Sequence, residues 1–228
     1  MIYVPPQAPL VTLAFLAAAL LIAAGLAGSL FGALSKRPHL VVGGAALAGA
    51  VAGAYAIVWT GASLASRETL LATGEMKYFC EIDCHLAYSV TGVERVSSLG
   101  AGGPALASGS FLVVTLRTWF DPATISPRRP LDAPLWPNPR NVCAVDADGR
   151  HYRPLPGASA ALAHAGRVST PLSEPLRPGE SYQTLLVFDI PHEARNVKLY
   201  VGNLSSEGAF LIGHEASPLA KKAWFELK

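Results

Sequence analysis

Charged side chains are missing altogether from two long stretches of this sequence, Leu10 to Leu34 and Leu40 to Leu64, and they make up only 15% of its 228 residues. Proton relays and ion pathways need ionisable groups at membrane depth, so stretches without one Asp, Glu, Lys, Arg or His argue against a transporter or channel. Cations elsewhere are scattered, at Arg117, Arg128, Arg129, Arg140, Arg150, Arg153, Lys221 and Lys222, and the net charge is only +2. No basic run marks a nucleic-acid surface. Nucleophile motifs and paired-carboxylate sites are lacking. Gly100 to Gly103 lacks the following Lys and helix pattern that a phosphate loop needs, and it reads as a flexible connection. His151, His164, His192 and His214 are scattered and read as surface or hydrogen-bonded histidines. Cysteines number three, and methionines two, of which Met76 is the last.

What the two uncharged stretches do contain is Leu, Ala, Val and Ile in runs longer than the roughly 20 residues that span a bilayer's hydrocarbon core. A spanning segment must satisfy its own backbone hydrogen bonds, which predicts a transmembrane helical hairpin over residues 1–66, turning at Ser35-Lys36-Arg37-Pro38-His39. Lys36 and Arg37 stand unbalanced in the turn, whereas residues 1 to 9 carry no charged side chain and the second span is followed by a balanced Arg67-Glu68 pair, so the positive-inside rule puts that turn in the cytoplasm. Both termini and the rest of the chain then lie on the periplasmic side of an inner membrane. A cleaved signal peptide would want a positive leading region and a shorter apolar core, whereas the first charge here is Lys36. Gly28 with Gly32, and Gly49 with Gly53, form small-xxx-small pairs that let helix backbones approach closely. They serve either the packing of the two helices on each other or docking on another membrane subunit.

Residues 67–228 suit one globular domain. Short β-branched and aromatic runs predict strands at Leu86 to Val93, Phe111 to Phe120, Val142 to Val145, Tyr182 to Ile190 and Val197 to Val201. Turns are predicted at Asp146-Ala147-Asp148-Gly149, where acidic side chains cap their own backbone, and at Arg177-Pro178-Gly179-Glu180. Six prolines between 121 and 141 remove too many donors for a central strand. That insertion reads as an ordered surface loop with Trp136 as a candidate partner contact. The tail from Ser217 to Lys228 reads as a short amphipathic helix or a last strand with Trp224 and Phe225 packed down.

Three pieces of this region carry a resemblance. The "D-x-D-G-R-x-Y" hairpin from Asp146 to Tyr152, the "L-x-P-G-E" turn from Leu176 to Glu180 and the strand Leu186 to Pro191 follow in an order and spacing similar to the immunoglobulin-like domain of unknown function found in bacterial lipoproteins and surface proteins. The resemblance covers about residues 85–202. It implies an all-β, two-sheet antiparallel sandwich and no enzyme activity. The paired helices and the Pro-rich insertion depart from that family's pattern.

One constellation carries chemistry: Tyr78-Phe79-Cys80-Glu81-Ile82-Asp83-Cys84-His85. Thiolate and imidazole suit copper or zinc, making Cys80, Cys84 and His85 candidate metal ligands, with Cys143 as a fourth. The layout is also similar to the copper-carrying subunit of haem-copper oxidases. There, however, the paired cysteines fall late in the β domain and are followed by His and Met. If residues 80 to 84 are extended, the two thiols stand about 13 Å apart, too far for one ion or a disulfide. In a helical turn they are adjacent. An external compartment favours disulfides, and three cysteines among Cys80, Cys84 and Cys143 leave one bridge and one thiol over.

The expectation is a non-catalytic accessory or structural subunit of a larger membrane complex, respiratory or photosynthetic in kind, with no cofactor. Its partners are other integral-membrane subunits and membrane lipids. The alternative is a metal-binding or redox protein built on Cys80, Cys84 and His85. A third reading is an envelope-stress or peptide-binding module with Trp136 and the Pro-rich loop mobile and exposed.

Overall fold

The computed structural model describes residues 2–3, 8–79, 85–100, 103, 108–124, 130, 132–164, 166–204 and 207–228. The chain divides into two compact units: residues 6–67 with 206–221, and residues 1–5, 68–205 and 222–228.

The first unit is built on helices α1 (Ala8–Leu34) and α2 (Pro38–Ala65), both long and apolar enough to cross a membrane. At 1.5 Å per residue each is about 40 Å long. Helix α1 stops because Lys36 turns left-handed, with φ of 55°. Lys36 N–H donates to Ala33 O and Arg37 N–H to Gly32 O, a Schellman closure that satisfies the last carbonyls. Pro38 then opens α2, where a missing donor costs nothing. Leu20 is 71% and Ile57 75% exposed, so large apolar side chains point away from the unit on both helices.

The helices pack through three glycines. A Cβ on Gly44 would stand 2.4 Å from Gly25 O, one on Gly25 2.8 Å from Gly44 O, and one on Gly32 2.7 Å from Leu40 Cβ. Ser29 Oγ donates to Val41 O across the pair at 3.0 Å, and the rings of Phe15 and Tyr55 meet at 6.2 Å. Residues 207–221 join this unit by hydrogen bonds to α2, through a 3-10 turn at Glu207–Phe210 and then a series of tight turns.

The second unit is β-rich. Sheet A contains β1 (Ile2–Tyr3), β3 (Met76–Phe79), β4 (Leu86–Val96), β5 (Gly109–Phe120) and β8 (Ser181–Pro191), in that order. Sheet B contains β2 (Thr69–Leu71), β10 (Ala223–Glu226), β9 (Lys198–Asn203), β6 (Arg140–Val145) and β7 (His151–Tyr152). All five expected strands are present; four are extended by one to three residues, and the fifth is shifted from Val197–Val201 to Lys198–Asn203. The expected uniformly antiparallel pairing is corrected: β1 runs parallel to β3, and β2 parallel to β10, so both sheets are mixed. Parallel neighbours need a crossover between them. The helical hairpin supplies one, between β1 and β3, and nearly the whole β unit supplies the other.

Side chains of both sheets meet in one core. Tyr88, Val90, Leu112, Val114, Leu116, Phe188 and Ile190 of sheet A pack with Ala144, Leu199, Val201 and Phe225 of sheet B. The alternate residues of β5 and β8, Phe111, Val113, Leu185 and Val187, point to the other face of sheet A. There they are covered by Leu99 and by Ala158, Ala161 and Leu162 of the short helix α3 (Ala158–His164). Burial on both faces explains why Phe111 to Val114 is continuously apolar rather than alternating.

Both predicted turns form. Asp146 Oδ1 accepts from the Asp148 and Arg150 amides and its Oδ2 from the Tyr152 hydroxyl at 2.7 Å, with Gly149 at φ 78°. Glu180 Oε2 accepts from Arg177 N–H, and Gly179 sits at φ 84°. The tail resolves as strand β10, with Phe225 fully buried.

Candidate functional site

Cys80 and Cys84 lie outside the described residues. The residues on either side of them in sequence, Phe79 at the end of β3 and His85 before β4, line a small cleft of about 90 Å³ together with Leu86, Leu135, Trp136, Pro137, Asn138 and Arg140. Small-molecule pockets usually measure roughly 300–1,000 Å³, so this cleft fits an ion, a few waters or one partner side chain.

Each wall has a local cause. His85 is buried, its ring 5.4 Å from that of Phe120, and its carbonyl accepts from Asp121 N–H. The expected Pro-rich loop contributes Leu135 to Asn138. It is pinned by a two-way backbone bridge between Leu135 and Leu176, which holds it on the β unit although its prolines cannot donate. Trp136 is 68% exposed at the cleft wall.

Arg140 supplies the charge. It shares the inward face of β6 with Val142 and Ala144 by strand alternation. Its guanidinium lies 4.2 Å from the Phe79 ring centroid and 5.4 Å from that of Tyr88, donates to Tyr88 Oη at 3.0 Å, and binds Asn203 Oδ1. A cation stacked on two aromatic faces is held in place and gives the cleft a fixed positive wall. Nearby, the Tyr78 hydroxyl donates to buried Asp121 at 2.7 Å. Burial first, and then this carboxylate, push it up to about 12.

Cys143 is a free thiol. It lies three residues past Arg140 on β6, on the opposite face by alternation, and does not line the cleft. Burial pushes its thiol upward against the opposing pull of Lys222 and Arg153, which suppresses the reactive thiolate at neutral pH. Among the described residues no group of three or more His, Cys, Asp or Glu side chains is placed to hold a metal ion.

The glycine candidates separate. Gly32 is in the helix contact, while added Cβ atoms on Gly28, Gly49 and Gly53 would meet nothing within 4 Å. The close approach is made instead by Gly25 and Gly44, which pattern reading did not single out.

A buried lysine also went unforeseen. Lys77 of β3, 1% exposed, donates to Val201 O at 2.7 Å and Ala223 O at 3.1 Å, with the Phe79 and Tyr200 rings 5.3 and 4.8 Å away. Pairing of β9 with β10 runs through Leu199 opposite Phe225. Continuing that register sets Val201 against Ala223, where the ammonium enters between the strands and ties sheet A to sheet B.

No protein-family model matches the chain, and no curated protein matches it. Among solved structures it is similar to MPT63, a secreted protein from Mycobacterium tuberculosis, at 13% identity and TM-score 0.42, covering 71% of this chain and 99% of that one. It is also similar to the yjhA protein from Bacillus subtilis, at 15% identity and TM-score 0.39, covering 69% and 98%. A conserved hypothetical protein from Bacillus anthracis follows at 20% identity and TM-score 0.38, covering 56% and 92%.

Proposed function

We propose that this protein is a two-pass inner-membrane accessory subunit without catalytic chemistry, which carries an immunoglobulin-like sandwich on the periplasmic side and docks in a larger complex through its helices. The observation that carries the reading is the unequal use of glycine. Gly25, Gly32 and Gly44 are consumed by the hairpin's own packing, whereas Gly49 and Gly53 of α2 open onto unfilled space. One helical turn apart, they offer another helix the close backbone approach that drives association in lipid.

The connection of the chain supports this topology. Residues 1–5, 68–205 and 222–228 belong to one β unit, which favours placing both ends of the hairpin on one side. Lys36 and Arg37 at the turn favour the cytoplasm for the opposite side. The packed faces of two sheets, with the Asp146 hairpin and the Arg177 turn in place, support the immunoglobulin-like assignment.

Purification in mild detergent at native expression recovers the protein in a stoichiometric assembly, and the double substitution G49L/G53L releases it while leaving the chain folded and inserted. Recovery of the unsubstituted protein as a lone monomer overturns the reading.

The cleft favours a second reading, a redox or metal-binding role, because His85 and Phe79 line it and Cys80 and Cys84 lie between them in sequence. Metal analysis of purified protein decides it: stoichiometric copper, zinc or iron lost on C80S/C84S supports a metal centre, and absence of all three ends it.

A further inference from the structure

Residues 207–221 are neither helix nor sheet beyond one short 3-10 turn, yet they run beside an apolar helix. Trp59 Nε1 donates to Ala209 O at 3.0 Å and Tyr55 Oη to Phe210 O at 2.8 Å. Higher on the helix, Ser63 donates to Trp59 O, which leaves the Ser217 hydroxyl to donate to Ser63. At the helix end the Lys221 amide donates to Ser66 Oγ at 2.7 Å. The order is collinear: 209–210 with 55–59, then 217 with 63, then 221 with 66. The segment therefore reaches its lowest point at Phe210 and climbs α2 from there. Tyr55 and Ser66 are eleven residues apart, which is about 16 Å along the axis.

Depth can be reckoned from the other end. With Lys36 and Arg37 at one headgroup layer, roughly 20 residues of α2 cross the hydrocarbon, and counting from Pro38 brings the far boundary to about Ile57. Trp59 and Tyr55 flank that level, where amphipathic rings concentrate. The Phe210 tip falls at the same level, and Arg67 and Lys221, both exposed, fall about 15 Å further along the axis, outside the hydrocarbon.

The segment's chemistry matches this placement. From Gly208 to Gly213 it reads Gly-Ala-Phe-Leu-Ile-Gly, without a charge. Phe210 is 61% exposed, a large apolar side chain left uncovered at the tip of the segment. Irregular backbone is tolerated in a low-dielectric layer only when its polar groups are satisfied. Here the carbonyls of Ala209 and Phe210 are taken by the Trp59 and Tyr55 side chains. Those of Gly208, Leu211, His214 and Ser217 accept from the amides three residues on.

We propose that residues 207–221 form a membrane-dipping element whose Phe210-Leu211-Ile212 tip seats among the acyl chains at the periplasmic boundary of the bilayer. The inference rests on the hairpin crossing that bilayer. It assigns lipid, rather than a protein subunit, as the occupant of this apolar surface.

Tryptophan at Phe210 reports the outcome without disturbing a packed site. F210W and the control L20W are reconstituted as full-length protein in phosphatidylcholine and phosphatidylglycerol vesicles, with bromines either near the carbonyl or near the methyl end of the acyl chain. The emission that F210W adds over the unsubstituted protein is largely lost with bromines near the carbonyl, is less affected by bromines near the methyl end, and resists aqueous acrylamide. L20W shows the reverse depth preference. If F210W is quenched by acrylamide and spared by bromolipid while L20W is quenched by lipid, the tip is in water and the proposal falls, with the hairpin reading intact. Protection of F210W from both agents means protein covers it and also overturns the proposal. If bromolipid quenches neither, the spanning hairpin fails and takes this inference with it.

Discussion

Replacing Gly44 by alanine tests the helix packing most directly, because the structure states what the new methyl group would meet. Its Cβ would lie 2.4 Å from Gly25 O, 2.6 Å from Ser29 N and 3.0 Å from Ser29 Cα. All three neighbours are backbone atoms of a rigid helix and cannot swing aside. Restoring an ordinary separation of about 3.4 Å requires the helices to part locally by about 1 Å. That displacement also stretches the 3.0 Å bond from Ser29 Oγ to Val41 O, one of a class worth about 0.6 kcal/mol on average in membranes. Overpacking of this kind costs about 1–3 kcal/mol, so G44A loses about 2–3 kcal/mol. In G53A the same methyl group meets nothing within 4 Å, and the expected change is near zero. Unfolding of the reconstituted protein in mixed micelles, followed by the fluorescence of helix-placed probes, measures both. Equal loss in the two variants, or an unaffected G44A, refutes the assignment of the contact to Gly25 and Gly44.

Other expectations concern the β unit. Lys77→Met removes a donor from the buried carbonyls of Val201 and Ala223; at about 1–3 kcal/mol for a lost buried hydrogen bond, offset by removal of a buried charge, denaturant unfolding should show a net loss of about 2 kcal/mol, and equal or higher stability contradicts the tie. Tyr78 is held up to about 12 against an ordinary 10.0, chiefly by burial and then by Asp121; the fold favours its protonated form, so its contribution is whole below pH 10 and drains away as pH rises through 12. The shift is worth at most about 2.7 kcal/mol, and an unchanged alkaline stability slope in Tyr78→Phe sinks it. Asp146 is held below 3.8, first by the Tyr152 hydroxyl, so its contribution stands above that pH and is lost as pH falls through the lowered value. Asp146→Asn should therefore be less stable at neutral pH and shallower in acid titration, as followed by circular dichroism.

Much of the architecture was legible because its signals are local. The uncharged runs mark the helices, β-branched runs mark β4, β5, β6, β8 and β9, and the Asp146 and Arg177 turns have side chains that close on their own backbone. The misses depend on partners distant in sequence. Strands β1 and β2 have two and three residues, too short to show alternation, and exist through parallel neighbours. Helix α3 hides among Gly and Ala, its apolar positions Ala158, Ala161 and Leu162 too small to signal a face. The helix register is set by the Ser35 to Arg37 turn, so a pattern of small residues on all sides could not tell Gly44 from Gly49. A lysine reads as surface until three aligned strands enclose Lys77. The cleft joins residues from β3, β4, β6 and the Pro-rich loop, and beforehand the Cys80 to His85 stretch and Trp136 pointed to it separately, with nothing local to join them.

The pairing of β2 with β10 has a consequence for assembly in the cell. Thr69 emerges immediately after the second helix, yet its partner Ala223 is synthesised only after every other described strand. Sheet B must wait with an open edge throughout synthesis, exposed to the strand-to-strand aggregation that such edges invite. Ribosome-stalled chains lacking residues 222–228 should thus remain protease-sensitive across the β unit, and release of strand β10 should convert them to the resistant form in a single step.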